Sequence, residues 1–242
     1  MATRKVNAPP PPFLWPEMPA TRSGFDPKKL QEWWKLLKKN NKNCLFLMHN
    51  DRVIFERYAR GYDRSTPHYT ASMAKALTGG MSLLFAIHDG LLNFNDPAWR
   101  YIPQWKKDPL RSQITVRHLA THTSGLADSS VSGYDHTEEP GWKGEFWKRN
   151  PVPNDPFTIS RDSIPVLFKP GTKYQYSNPG TAMLGYCVTK ALQKSPHKDM
   201  RTLLKNRLMD PMGIPEEEWK CGYGQTFVVD GLPLVGTWGG GN

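Results

Sequence analysis

The sequence predicts an α+β fold. Three observations predict it: β-rich runs that pair around tight turns, helical runs with their own start and stop residues, and turn-rich chain between them. At 242 residues the chain is long enough for one large domain or two small ones. Nine Trp, ten Phe and nine Tyr can supply a substantial core. The low mean hydropathy of −0.61 reflects in part the loops that carry 22 prolines and 20 glycines.

The elements follow in order. Residues 1–24 read as an extended proline-rich arm, with Phe13, Leu14 and Trp15 available to pack on the body, and residues 25–242 as the domain proper. Asp26-Pro27 opens a helix, with Asp as N-cap and Pro at the first helical position. Leu30, Trp33, Trp34, Leu36 and Leu37 follow at amphipathic spacing, and the closing lysines suit the helix's negative pole. Cys44 to Met48 and Arg52 to Tyr58 flank His49-Asn50-Asp51, which predicts a hairpin. Ser72 to Ile87 is small, apolar and free of proline, so a buried helix is expected, ending at Asp89-Gly90. His88 on it reads as a satisfied core histidine. Residues 91–165 are turn-rich, with one short helix at Val116 to Thr121. Helices are expected at Gly180 to Leu192 and Lys198 to Met209. A last hairpin pairs Thr226 to Val229 with Leu232 to Val235 around Asp230-Gly231.

Composition excludes several function classes. The net charge of +10 is spread over the chain, with no recognition helix, zinc-finger spacing or RNA-binding signature, so a solvated basic surface and no nucleic-acid partner are expected. Cys44, Cys187 and Cys221 are odd in number and far apart, which excludes a fully paired disulfide framework and a cysteine metal cluster. Cys44 and Cys187 lie in apolar runs and read as small buried hydrophobes; Cys221 reads as a loop thiol. No stretch of transmembrane length is free of charge. The N-terminus has no apolar signal core, so either the protein is not exported or an export signal was removed. The compartment stays open.

The chemistry concentrates at Ser72-Met-Ala-Lys75. Three residues apart on a helix, the two side chains share a face. A serine hydroxyl needs an adjacent base, and a lysine can serve where burial favours its neutral form. The spacing alone is cheap: Ser195-Pro-His-Lys198 matches it too, but lies in a polar stretch with proline inside. Tyr176-Ser-Asn178 is the second element. Its phenol can relay the serine proton, and its amide can donate to a substrate carbonyl. An ordinary turn opening a helix is the plainer reading of Tyr-Ser-Asn-Pro-Gly. His118 and His122 stand four apart like zinc ligands, but Leu119 occupies the place where the metalloprotease pattern needs Glu. No metal and no cofactor are expected. The stretch from Tyr134 to Lys148 either borders a cleft or packs on the surface.

Three segments together resemble the serine β-lactamase and penicillin-binding superfamily, on its class C and carboxylesterase side. They are Tyr69-Thr-Ala-Ser72-Met-Ala-Lys75, Thr115-Val-Arg-His-Leu-Ala-Thr-His-Thr-Ser-Gly-Leu126, and Phe168-Lys-Pro-Gly-Thr-Lys-Tyr-Gln-Tyr176-Ser-Asn178. The resemblance implies an antiparallel sheet flanked by helices beside a mostly helical subdomain, roughly residues 76–220. It implies Ser72 as acylated nucleophile, Lys75 as its proton acceptor, Tyr176 as partner acid and base, and Asn178 as a substrate-orienting group. The implied substrate is a small ester, amide or β-lactam-like molecule. One family feature is missing: no Lys-Thr-Gly or His-x-Gly follows, and Gly236 to Asn242 resembles a glycine-rich segment that precedes later strands. The expectation is therefore a domain incomplete at its C-terminal sheet strands, with a possible need for a complementing segment. Its rival is a homologue that binds acyl or peptidoglycan-like ligands without turning them over.

Overall fold

A computed structural model describes residues 14–241. The expected arm therefore lies outside the described residues over positions 1–13; of the rest, Leu14 is exposed. The fold is α+β, and its contacts divide the chain into residues 1–68 and 69–242, each with a core of its own.

In the first unit, α1 (Pro27–Lys39) is capped by Asp26, whose carboxylate accepts the Lys28 N–H, and carries Pro27 at its start. β1 (Cys44–His49) and β2 (Arg52–Tyr58) form an antiparallel hairpin. Asn50 and Asp51 both adopt positive φ, the two-residue turn that matches strand twist. Leu30 and Trp34 of α1 pack with Ala20 and Phe55 into a small core. Cys44 is exposed rather than buried, because its strand presents that position to solvent.

The second unit is built around α6 (Asn178–Leu192), in which every residue but Lys190 is buried. Such an all-round apolar helix needs cover on all sides. The helix ahead of it in sequence has three parts: a 3-10 turn (Ala71–Met73), a wide π turn (Lys75–Gly80) and α2 (Met81–His88). This run is half exposed rather than buried: Ala74, Thr78, Ser82, Leu83 and Ala86 face inward while Met73, Leu77 and Leu84 face out. His88 ends it at the surface and is no core histidine. α3 (Val116–Ala120) sits where expected. The turn-rich region holds two further helices, α4 (Trp142–Lys148) and α5 (Pro156–Asp162). α7 (Met200–Leu204) continues as a π turn over Lys205–Met209. β3 (Phe227–Val229) and β4 (Leu232–Leu234) pair antiparallel around Asp230 and Gly231, again both at positive φ. Cys221, expected on an open loop, is 2 % exposed.

The glycine-rich segment after β4 is threaded inside this unit. Thr237 Oγ1 donates to the Thr181 carbonyl of α6 at 2.8 Å. Trp238 is 1 % exposed, its ring 4.9 Å from Phe146 and 5.5 Å from Phe157. Gly240 has φ +72°, and a Cβ there would lie 2.3 Å from Tyr223 Cγ, so only glycine fits. No helix among the described residues is long and apolar enough to cross a membrane.

Candidate active site

The turn that presents Ser72 is held from behind. The backbone N–H and the hydroxyl of Thr70 both donate to the Gly241 carbonyl, at 2.8 and 2.9 Å. Ala71 then takes φ +45°, a conformation that costs an L residue about 1 kcal/mol and is kept only where the surroundings impose it. The 3-10 turn that follows leaves Ser72 exposed and sets Lys75 half-buried, with Nζ 3.3 Å from Ser72 Oγ.

The other side chains arrive from the start of α6. Ser177 is its N-cap, accepting the Gly180 N–H at 2.9 Å and donating to the Ala127 carbonyl at 3.1 Å. That cap fixes the residues on either side. Tyr176 OH donates to Ser72 Oγ at 2.8 Å. Asn178 Oδ1 accepts from Lys75 Nζ at 2.7 Å, and the Trp238 carbonyl accepts from the same nitrogen at 2.8 Å. The two amide hydrogens of Asn178 go to Asp128 Oδ1 and Ser130 Oγ, each at 2.9 Å.

The segment 122–128 ties these parts together. His118 closes a capping box with Thr115 at the start of α3, which uses the ring as a structural acceptor. His122, at φ +56°, accepts the Ser177 N–H on Nδ1 at 3.2 Å and stacks on Tyr176 with ring centres 4.7 Å apart. Gly125 sits at φ +82°, where a Cβ would meet the Phe168 carbonyl oxygen at 2.4 Å. Its own carbonyl accepts the Leu167 N–H at 2.8 Å, and Ala127 N–H donates to Pro165 O at 3.0 Å. The strap thus pairs with the chain leading to Tyr176 and delivers Asp128 beneath Asn178.

Electrostatics follow from burial. Lack of solvent pushes the Lys75 ammonium down to about 8, opposed by the Asp128 carboxylate. Burial, and then the Lys75 charge, lower His122 below its ordinary value, so it stays neutral at pH 7. The Lys75 nitrogen also lies 4.8 Å from the Tyr176 ring centre. In front of Ser72 opens a cleft of about 270 Å³, walled by Ser130, His136, Trp147, Tyr176 and Tyr223. Of the stretch from Tyr134 to Lys148, His136 and Trp147 line it; the His136 ring lies tilted against Trp147 with ring centres 4.8 Å apart, and Trp147 Nε1 donates to Ser129 O at 3.0 Å. A larger hollow of about 670 Å³ in the first unit runs along β2 and contains no serine or cysteine in its walls. Among the described residues no three His, Cys, Asp or Glu side chains are grouped as a metal site.

All four residues singled out in the sequence, Ser72, Lys75, Tyr176 and Asn178, meet here. The second Ser-x-x-Lys does not converge. Ser195 Oγ donates to Leu192 O at 2.8 Å, and Lys198 Nζ reaches Gln193 O at 2.8 Å instead. Three participants escaped sequence reasoning: Asp128, Ser130 and the Trp238 carbonyl. Asp128 did leave a trace, as the only charged residue between His118 and Tyr134. A backbone carbonyl leaves none.

Comparison with known proteins gives a consistent picture. The family model described as Beta-lactamase matches residues 45–224. An acyltransferase of Penicillium decumbens is 30 % identical over 121 residues, covering 44 % of this chain and 27 % of that protein. Penicillin-binding protein 4* of Bacillus subtilis is 25 % identical over 154 residues, covering 60 % of this chain and 29 % of its own length. The crystal structure of a penicillin-binding protein from Bacillus halodurans superposes with a TM-score of 0.60 at 19 % identity, over 86 % of this chain and 68 % of that one. The chain spans less than a third of the length of these curated relatives.

Proposed function

We propose that this chain, which belongs to the β-lactamase family, carries the site of a serine hydrolase that forms an acyl-enzyme on Ser72. The observation that carries this reading is the set of three contacts around Lys75 Nζ. Two are short and go to groups that can only accept, the Asn178 amide oxygen and the Trp238 carbonyl. A neutral amine keeps two N–H donors and one lone pair. With both donors committed, the lone pair faces Ser72 Oγ, the third and longest contact at 3.3 Å. Lys75 therefore takes the hydroxyl proton as Oγ attacks a substrate carbonyl.

Tyr176, donating to the same oxygen, steadies it before attack and passes a proton to the leaving group afterwards. Asn178 lines the cleft and holds Lys75; with both amide hydrogens given to Asp128 and Ser130, it acts on substrate through the Lys75 it positions rather than by donating to a substrate carbonyl. The Ser72 N–H at the start of the helix serves as an oxyanion donor. Water then hydrolyses the acyl-serine. The substrate class is a small ester or amide, β-lactams included, and no step requires a metal or cofactor.

The test is labelling with a fluorophosphonate followed by peptide mapping, alongside turnover of a short-chain chromogenic ester. Ser72 is expected to carry the adduct, and Ser72→Ala to lose both labelling and turnover. Equal labelling of the mutant would contradict the assignment.

A further inference from the structure

We propose that Asp128 is the positioning residue of this site: one oxygen of its carboxylate takes two N–H groups of Asn178 and so turns that amide with its oxygen toward Lys75. The inference rests on Ser72 as nucleophile and deepens that reading.

An Asn side chain can present either its oxygen or its NH2 to a neighbour, and the surroundings decide which. Around Asn178 the candidates are Lys75, Ser130 and Asp128. Ser130 does not decide, because a hydroxyl can donate as well as accept. The carboxylate of Asp128 only accepts. It receives the Asn178 backbone N–H at 2.8 Å and the side-chain Nδ2 at 2.9 Å, both on Oδ1. In the flipped amide, oxygen would face carboxylate and NH2 would face the Lys75 nitrogen, two mismatches at once. Asp128 is itself fixed by the strap that pairs with residues 165–167 through Gly125 and Ala127. The strap, Asp128, Asn178 and Lys75 form one chain of contacts ending at Ser72 Oγ. Asp128 does not itself line the cleft; its hydrogen bonds go to Asn178, which does, so it acts through Asn178.

The same carboxylate has a second, separable effect. The groups facing Lys75 are the Asp128 charge, His122, the Tyr176 ring, Ser72 and the acceptors on Asn178 and Trp238. Of these Asp128 alone is a carboxylate, and it favours the ammonium. Removing its charge therefore shifts the Lys75 titration to lower pH, whereas removing its hydrogen-bond acceptor frees the amide.

Asp128→Ala and Asp128→Asn separate the two. The rate of Ser72 labelling by a fluorophosphonate is measured from pH 6 to 10. Independently, Lys75 acetylation by acetic anhydride is followed over the same range by peptide mass spectrometry. The expected result for Asp128→Ala is a plateau labelling rate about 100-fold lower, the usual penalty for a misplaced reacting group. Asp128→Asn keeps an acceptor and is expected to recover at least tenfold of that loss, with its Lys75 midpoint moved to lower pH. A plateau rate within twofold of the unmodified chain in Asp128→Ala overturns the proposal, as does a Lys75 midpoint unmoved in both variants. Absence of Ser72 labelling in the unmodified chain would instead overturn the nucleophile assignment; the acetylation midpoints would still decide whether Asp128 acts on Lys75.

Discussion

At the scale of single residues, the site turns on a nitrogen with three partners, Lys75 Nζ, for which we propose the part of proton acceptor. Lys75 is poised near neutrality by burial, so roughly a tenth of it is neutral at pH 7. Arginine at this position would keep the charge and could not take up the serine proton. Lys75→Arg is therefore expected to slow Ser72 labelling by about 10² to 10⁴, the range for losing a general base. A rate within a factor of a few of the unmodified chain would remove Lys75 from that role. Ser195→Ala is expected to leave labelling unchanged, since Ser195 is turned onto its own helix end. Residue types with a spacing rule, Ser72 with Lys75 and Tyr176 with Asn178, were legible in the sequence. Asp128 was not, because an acid three positions beyond Gly125 matches no motif. Only the fold shows that it lies under Asn178.

At the scale of elements, the start of α6 is the part on which the site hangs. Ser177→Ala removes the cap, at a cost of about 1 kcal/mol in a urea titration, and loosens the anchoring of both Tyr176 and Asn178. A larger loss of labelling than of stability is the expected pattern. Gly125→Ala adds a Cβ against the Phe168 carbonyl at positive φ, so the strap must shift. Its expected cost is about 2 kcal/mol or more, with slower labelling because Asp128 moves too. An unaltered urea midpoint would show the strap to be pliant. Elements with two concordant signals were legible: the cap and proline of α1, and the turns of the hairpins. α4 and α5 were hidden because their boundaries read as turns. Asp155-Pro156 caps α5 just as Asp26-Pro27 caps α1, yet the proline-rich run around it reads as punctuation. The π turn at Lys75–Gly80 was also illegible, since nothing local distinguishes it from an α-helix.

At the scale of the whole molecule, contacts far apart in sequence decide what the motifs become. The chain after β4 supplies the Trp238 carbonyl to Lys75 and the Gly241 carbonyl to Thr70. Composition alone reads this stretch as a loop. Its aromatic anchor makes it part of the core of the second unit. Trp238→Ala should therefore cost about 3–5 kcal/mol in that unit's unfolding, the range for truncating a buried aromatic. The serine, the lysine and the family motifs are all present in the sequence. What assembles them into a site is packing around α6, which only the folded chain displays.

The most direct measurement is the pH dependence of fluorophosphonate labelling at Ser72, followed by intact mass. Because burial lowers Lys75, its neutral amine, the proposed proton acceptor, increases as pH rises through about 8. The rate is expected to climb from pH 6 to 9 with a midpoint near 8, giving one adduct per chain, and to lose that titration in Lys75→Met. A rate that ignores the substitution at Lys75, or an adduct on another residue, would contradict activation of Ser72 by Lys75.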